Sequence, residues 1–317
     1  MTAAPARPEA ATREAYGPTL IKLAQAGHDI VALDADLSAS TGSIKLAAEF
    51  PQRWYTLGAA EANMIGIAAG LAAAGKTPFC SSFAVFMPGH CYDQIRIAIA
   101  QARLNVKLLA SHGGVSVGED GASAQAIEDL ALMTVLPGFT VVVPADVVEA
   151  EKAIWAAGTT DGPFYLRVGR PKLPVIYDDD YDFQLGRADL LHEGGDVTVI
   201  ACGLLVHAAL EAAQSLADAG VGVRVLNMAT VKPLDEEAVL AAARETGAIV
   251  TAEEHSVIGG LGAAVASTLA RNAPTPIEMV GVQDCFGESG TWRQLLDRHG
   301  LNAAGVEQAV RRVLERK

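Results

Sequence analysis

The 317-residue sequence predicts an α/β fold of two doubly wound domains with mostly parallel sheets, on three observations. Short β-rich runs alternate with Ala-rich helical stretches, the order that yields parallel strands joined by crossover helices. The β-rich runs are mostly uninterrupted apolar segments, as expected when helices cover both faces of a sheet. The alternation breaks once, over GRPKLPVIYDDDYDFQLG (Gly169 to Gly186), where two prolines and clustered acidic residues leave no helical period. Residues 1–172 and 187–317 are therefore read as domains and 173–186 as their linker. The length suits two domains that each bury a core.

In the first unit, DIVALDA, TPFCSSF, NVKLLAS, FTVVVPA and FYLRV read as strands. Between and around them, helical composition places helices over Thr12–Ala26, Glu61–Ala74, Tyr92–Gln101, Ala124–Met133 and Val147–Ala157. The second unit opens with strand DVTVIACG and a helix from Leu204 to Ala219. Strand VGVRVLNM, helix Glu236–Glu245 and strand AIVTAEE follow. A helix near Gly262–Arg271, strand PIEMVGV and two terminal helices complete it.

Charge narrows the partners. With 24 Lys and Arg against 37 Asp and Glu, the net charge of −13 argues against nucleic acid or an anionic membrane, both of which demand a basic face. A local pocket of Arg and His for a small anion remains compatible with it. Cys80, Cys91, Cys202 and Cys285 show no CxxC spacing and read as reduced thiols. The opening MTAAPARPEAATREA has no apolar core of signal-peptide type, and no apolar run reaches 18 residues. A cytoplasmic protein is the expectation. Neither GxxxxGK[ST] nor GxGxxG after a strand occurs; IGGLGAAVAST places Val265 at the third glycine position. No His/Cys/Asp cluster has zinc spacing, and no metal ligand is expected on this chain.

Four stretches stand out as candidate sites. GAAEANMIGIAAGLAAAG carries one carboxylate, Glu61, at its start. The helix dipole favours an acid in a first turn, so a purely structural role is available to it. In SSFAVF, Phe83 and Phe86 fall just past a strand end, where open α/β sheets bind ligands; two core phenylalanines are the alternative. The Gly-rich ASHGGVSVGEDGASAQAIEDL after NVKLLA holds His112, Glu119 and Asp120, and glycines there permit close backbone approach to a ligand. RVGRPKLP contributes Arg167 and Arg170, whose planar donor forks suit phosphate or a surface salt bridge.

Taken in order, GAAEANMIGIAAGLA, SSFAVF, SHGGVSVGEDGASAQAIEDLA, VVVPAD and LRVGRPKLP resemble the pyrimidine-binding domain of transketolases. VLNMATVKPLD, EEHSVIGGLG and FGESG resemble the transketolase C-terminal domain, so the resemblance covers nearly the whole chain. The family's GDG-plus-Asn motif, which holds the diphosphate of thiamine diphosphate through a metal, is absent; GEDG has the wrong order. The resemblance therefore implies the C-terminal subunit of a split transketolase. The Mg2+ ligands and the diphosphate-binding half would lie on an N-terminal partner subunit, and two copies of each chain would form a heterotetramer.

By the same resemblance, Glu61 is the catalytic carboxylate that shares a proton with a ring nitrogen of the aminopyrimidine. Phe83 and Phe86 flank that ring, and Asp36 lies near the cofactor and the subunit contact. Arg13, Ser40, His112 and Arg170 match the family's sugar-phosphate site and would offer charge-assisted donors to a terminal anion. Asp120 matches the residue that contacts a substrate hydroxyl. Two positions depart: Gly89 stands where a third aromatic is common, and Ala124 stands where a histidine normally lies beside the reacting carbons. The second departure points to an altered sugar phosphate or a related anionic sugar such as a sulfo-sugar. A 2-oxo acid dehydrogenase β subunit and a non-catalytic subunit retaining the fold are the competing readings.

Overall fold

Apolar runs with no polar face need cover on both sides, and the computed structural model, which describes residues 8–317, provides it. The start of the N-terminal stretch considered above, residues 1–7, lies outside the described residues. A seven-stranded sheet runs in the order Thr230–Lys232, Thr140–Val142, Phe164–Val168, Lys107–Ser111, Thr77–Phe83, Ile30–Asp34, Trp54–Thr56. All its neighbours are parallel except the first pair. A five-stranded sheet runs Ile277–Val282, Ile249–Ser256, Val197–Ala201, Val223–Asn227, Asp189–His192, with only the last strand antiparallel. Both doubly wound, mostly parallel sheets are as the sequence predicts.

The strand order reverses beside Ile30–Asp34. The chain leaves that strand for Trp54–Thr56 on one side, then returns through the helix Glu61–Ala73 to Thr77–Phe83 on the other. Such a switch point opens a crevice past the carboxyl ends of the strands. Most site candidates sit in the connections at that edge, Ser40 in its short helix included, while Phe83 closes the strand Thr77–Phe83 and Arg167 stands within Phe164–Val168; Arg13 comes from the 3-10 turn Thr12–Ala15 near the N-terminus.

Three of the differences from the sequence reading bear on the site or on how the halves join. The predicted helix Ala124–Met133 begins only at Asp129, because Gln125 spends its amide on the carbonyls of Val115, Gly118 and Glu288. Those tertiary bonds hold the preceding residues off the helical path that their composition favours. Tyr92–Gln101 forms as a short α-helix passing into a π-helical stretch, Ile95–Gln101. Thr230–Lys232, from the second half of the chain, pairs antiparallel with Thr140–Val142 and so extends the first sheet.

The acidic stretch around 176–189 is strapped to both units. Asp146 accepts the backbone N–H groups of Ile176 and Tyr177, and the Tyr177 and Tyr181 rings stack 3.8 Å apart. Beneath them Glu149 is fully buried, accepting from Ala145 N and from the Asn227 amide. Burial pushes its carboxyl from 4.5 up to about 8. The folded chain thus keeps a proton there that the unfolded chain releases. The resulting stability is complete below about pH 4.5 and drains away as pH rises through about 8. Thermal unfolding midpoints are expected to fall between pH 5.5 and 8.5, less steeply in Glu149→Gln; parallel slopes would acquit Glu149.

Candidate active site

Neighbouring parallel strands end together, so the residues that follow them emerge side by side. Phe83 is paired with Ser111 in register, which brings the Phe83 ring against the next residue, His112, with centroids 3.9 Å apart. The chain turns at Ala84, whose N–H donates to Ser111 O, and enters the short helix Phe86–Gly89. That turn lays Phe86 over Phe83, 5.8 Å apart and tilted by only 13°. His90 stacks next on Phe86 at 4.9 Å, and its Nδ1 lies 3.3 Å from Glu61 Oε2.

Glu61 opens its helix and is 8 % exposed, beside the apolar Met64 and Ile65. Its other oxygen accepts from Ser82 Oγ at 3.4 Å. Both contacts are long for a carboxylate, which leaves its acceptor capacity open to a stronger donor. Two near-parallel phenyl rings beside such a carboxylate form an aromatic wall on which a flat heteroaromatic ring bearing N–H groups can stack. The residues present therefore fit the aminopyrimidine of thiamine diphosphate.

At the opposite end of the aromatic row lies a cluster of two arginines and His112. Arg13 Nη1 donates to Ser40 O at 2.9 Å and to His112 Nε2 at 3.3 Å. With Nε2 accepting, the His112 proton sits on Nδ1 and is given to Ser111 Oγ at 2.8 Å. His112 is 3 % exposed, and burial, then Arg13 and Arg170, press its pKa down to about 3. A neutral imidazole replaces the charge-assisted donor expected there, so the cationic charge comes from the two arginines. Arg170 donates to Val117 O at 2.6 Å and lies 3.6 Å from Asp120 and 3.7 Å from Glu119.

Contacts thus run unbroken from Arg13 through His112, Phe83, Phe86 and His90 to Glu61. Ser40 joins through its carbonyl, while Arg170, with Asp120 beside it, lines the same cavity as Arg13. Asp36 is not joined to this row; it stands exposed at a left-handed φ of 65° just past Ile30–Asp34. Arg167, a phosphate candidate in sequence, faces inward at 5 % exposure. Its Nε lies 2.9 Å from Asp129, and its Nη2 donates to the carbonyls of Ala126 and Glu254. Ser82 and His90 escape the sequence reading. Ser82 lies within SSFAVF, but nothing in HCYDQ distinguishes a histidine that reaches a carboxylate.

Comparison with known proteins bears on the whole chain. Residues 8–175 match the family described as transketolase, pyrimidine binding domain, and residues 186–306 the transketolase, C-terminal domain. The 6-deoxy-6-sulfo-D-fructose transketolase subunit SqwH of Clostridium sp. (strain MSTE9) is 46 % identical over 305 residues, covering 96 % of this chain and 95 % of that one. A solved structure of a split gene transketolase, described as an inactive β4 tetramer, is 47 % identical with a TM-score of 0.89, covering 96 % of this chain and 98 % of that chain. Against the transketolase of Rattus norvegicus, identity is 42 % over 305 residues, 95 % of this chain but 48 % of that protein. The chain therefore spans about half the length of such single-chain relatives.

Proposed function

The chain belongs to the transketolase family, and on that premise we propose that it is the C-terminal subunit of a two-chain enzyme moving a two-carbon ketol unit from an anionic ketose to an aldose. The unbroken row from Arg13 to Glu61 carries this reading, since it puts an anion holder and a proton-holding carboxylate in one crevice. Residues 1–172 serve as the pyrimidine-binding domain, 173–186 as linker and 187–317 as the C-terminal domain.

Thiamine diphosphate, when bound, supplies the carbon nucleophile and electron sink. Glu61 holds a proton at the aminopyrimidine ring nitrogen, and the apolar helix behind it excludes water. Phe83 and Phe86 orient the ring by stacking. Arg13 and Arg170, with Ser40 and His112 fixing Arg13, bind the terminal anion of the sugar; Asp120 meets a substrate hydroxyl, and Asp36 lies toward the subunit contact. Mg2+ and the diphosphate are held by an N-terminal partner subunit, two copies of each chain assembling in the cytoplasm. Among the described residues no helix is long and apolar enough to cross a membrane.

Ala124 in place of the family's histidine favours a modified donor. The SqwH relative's 6-deoxy-6-sulfo-D-fructose supports a sulfo-sugar. Normal turnover of xylulose 5-phosphate by the reconstituted pair would overturn that choice. The dehydrogenase reading loses its ground to full-length similarity with transketolase subunits. Calorimetric titration of thiamine diphosphate with Mg2+ tests the division of labour: heat of binding is expected only when the partner is mixed in. Tight binding by this chain alone would refute it.

A further inference from the structure

FGESG has no task in the mechanism above, yet its placement is specific. A Cβ on Gly287 would run into Gln125 Oε1 and so displace the amide that ties this segment to the loop carrying Glu119 and Asp120. Gln125 Nε2 then bridges the two, donating to Glu288 O at 2.9 Å and to Val115 O and Gly118 O at 3.3 Å. A capping box at Thr291 and Gln294 starts the next helix, Trp292–Arg298, and Trp292 packs against the apolar cluster that contains Val115. The residue delivered to the crevice by this docking is Arg293, its guanidinium 4.1 Å from the centre of the Trp292 ring.

Arg293 lines a cavity of about 330 Å³ together with Arg13, Arg170, Lys172, Glu9 and Glu119. Four cations thus face two carboxylates, in a chain whose net charge is −13. Lys172 has Glu14 at 3.7 Å and Arg170 has its two acids, whereas Arg13 and Arg293 have no carboxylate oxygen within 4 Å among the described residues. Guanidinium groups that lack a carboxylate partner and line one cavity suit a tetrahedral oxyanion.

We propose that Arg293 is a specificity-determining residue that, with Arg13 and Arg170, holds the terminal phosphate or sulfonate of the sugar. The second domain thereby becomes one wall of the substrate site. The inference rests on the transketolase reading for its substrate, and on the cavity alone for the anion.

In the reconstituted two-chain enzyme, Arg293→Ala is expected to raise KM for a ketose 6-phosphate or a ketose 6-sulfonate by about tenfold or more. KM for the uncharged ketose and kcat for all three sugars should stay as in the wild type. The larger of the two charged-sugar effects identifies which anion the cavity serves. Unchanged KM for both charged sugars, or an equal rise for the uncharged one, would overturn the proposal. Arg293→Lys should restore part of the loss. Binding of inorganic phosphate to this chain, followed by calorimetry, separates the anion site from catalysis. Phosphate binding weakened about tenfold by Arg293→Ala upholds the site even if no sugar turns over, whereas absent or unaltered binding refutes it.

Discussion

Replacing Glu61 by Gln in the reconstituted two-chain enzyme is expected to slow ketol transfer by roughly 10²–10⁴-fold, the span that a positioned acid–base group supplies. Gln keeps the shape and can still accept from Ser82, 3.4 Å away, and meet His90, 3.3 Å away, but it cannot take up a proton. The fold should survive, because both contacts are long and only a first-turn charge is lost, about 0.3–1 kcal/mol. Rate and thermal midpoint measured on one preparation separate the two effects. A rate above about a tenth of wild type would remove Glu61 as the proton-holding group.

The second large effect is on stability. Arg167→Met is expected to cost about 3–5 kcal/mol, because it strands a buried carboxylate. Asp129 is 0 % exposed and keeps only Tyr165 Oη, at 2.8 Å, among its side-chain partners. Glu254 suffers too. Burial pushes it up to about 7 against the opposing pull of Arg167 and of Ser116, whose N–H and O–H it accepts at 2.5 and 3.1 Å. Denaturant unfolding of the single variant and of Arg167→Met with Asp129→Leu checks the cause. The double variant should recover part of the loss; no recovery would mean that the ion pair is not what stabilises this layer.

Much of the layout is legible in the sequence itself. Uninterrupted apolar runs announce the parallel strands, and Glu61, Phe83, Phe86 and His112 lie in distinctive stretches that the fold draws into one row with Arg13. Local pattern fails where distant partners decide. Trp54–Thr56 is a three-residue edge strand with two exposed side chains, too short for a period. Thr230–Lys232 gains its strand character from Thr140–Val142, far back in the chain. Arg167 and Arg170 look interchangeable in RVGRPKLP, but the first belongs to a fully buried strand and the second to the loop after it. His90 and Arg293 reach the crevice through tertiary docking, which local sequence period does not reveal.

The strand Thr230–Lys232 also bears on how such a chain can be inherited. It completes a sheet begun in the other half, and Asn227, a few residues earlier, hydrogen-bonds Glu149 across the same boundary. A chimaera that joins residues 1–186 to the second half of a distant relative must receive a matching strand and a matching amide, or leave a sheet edge bare and a buried acid unanswered. Recombination can therefore exchange this polypeptide whole more readily than it can exchange its domains one at a time.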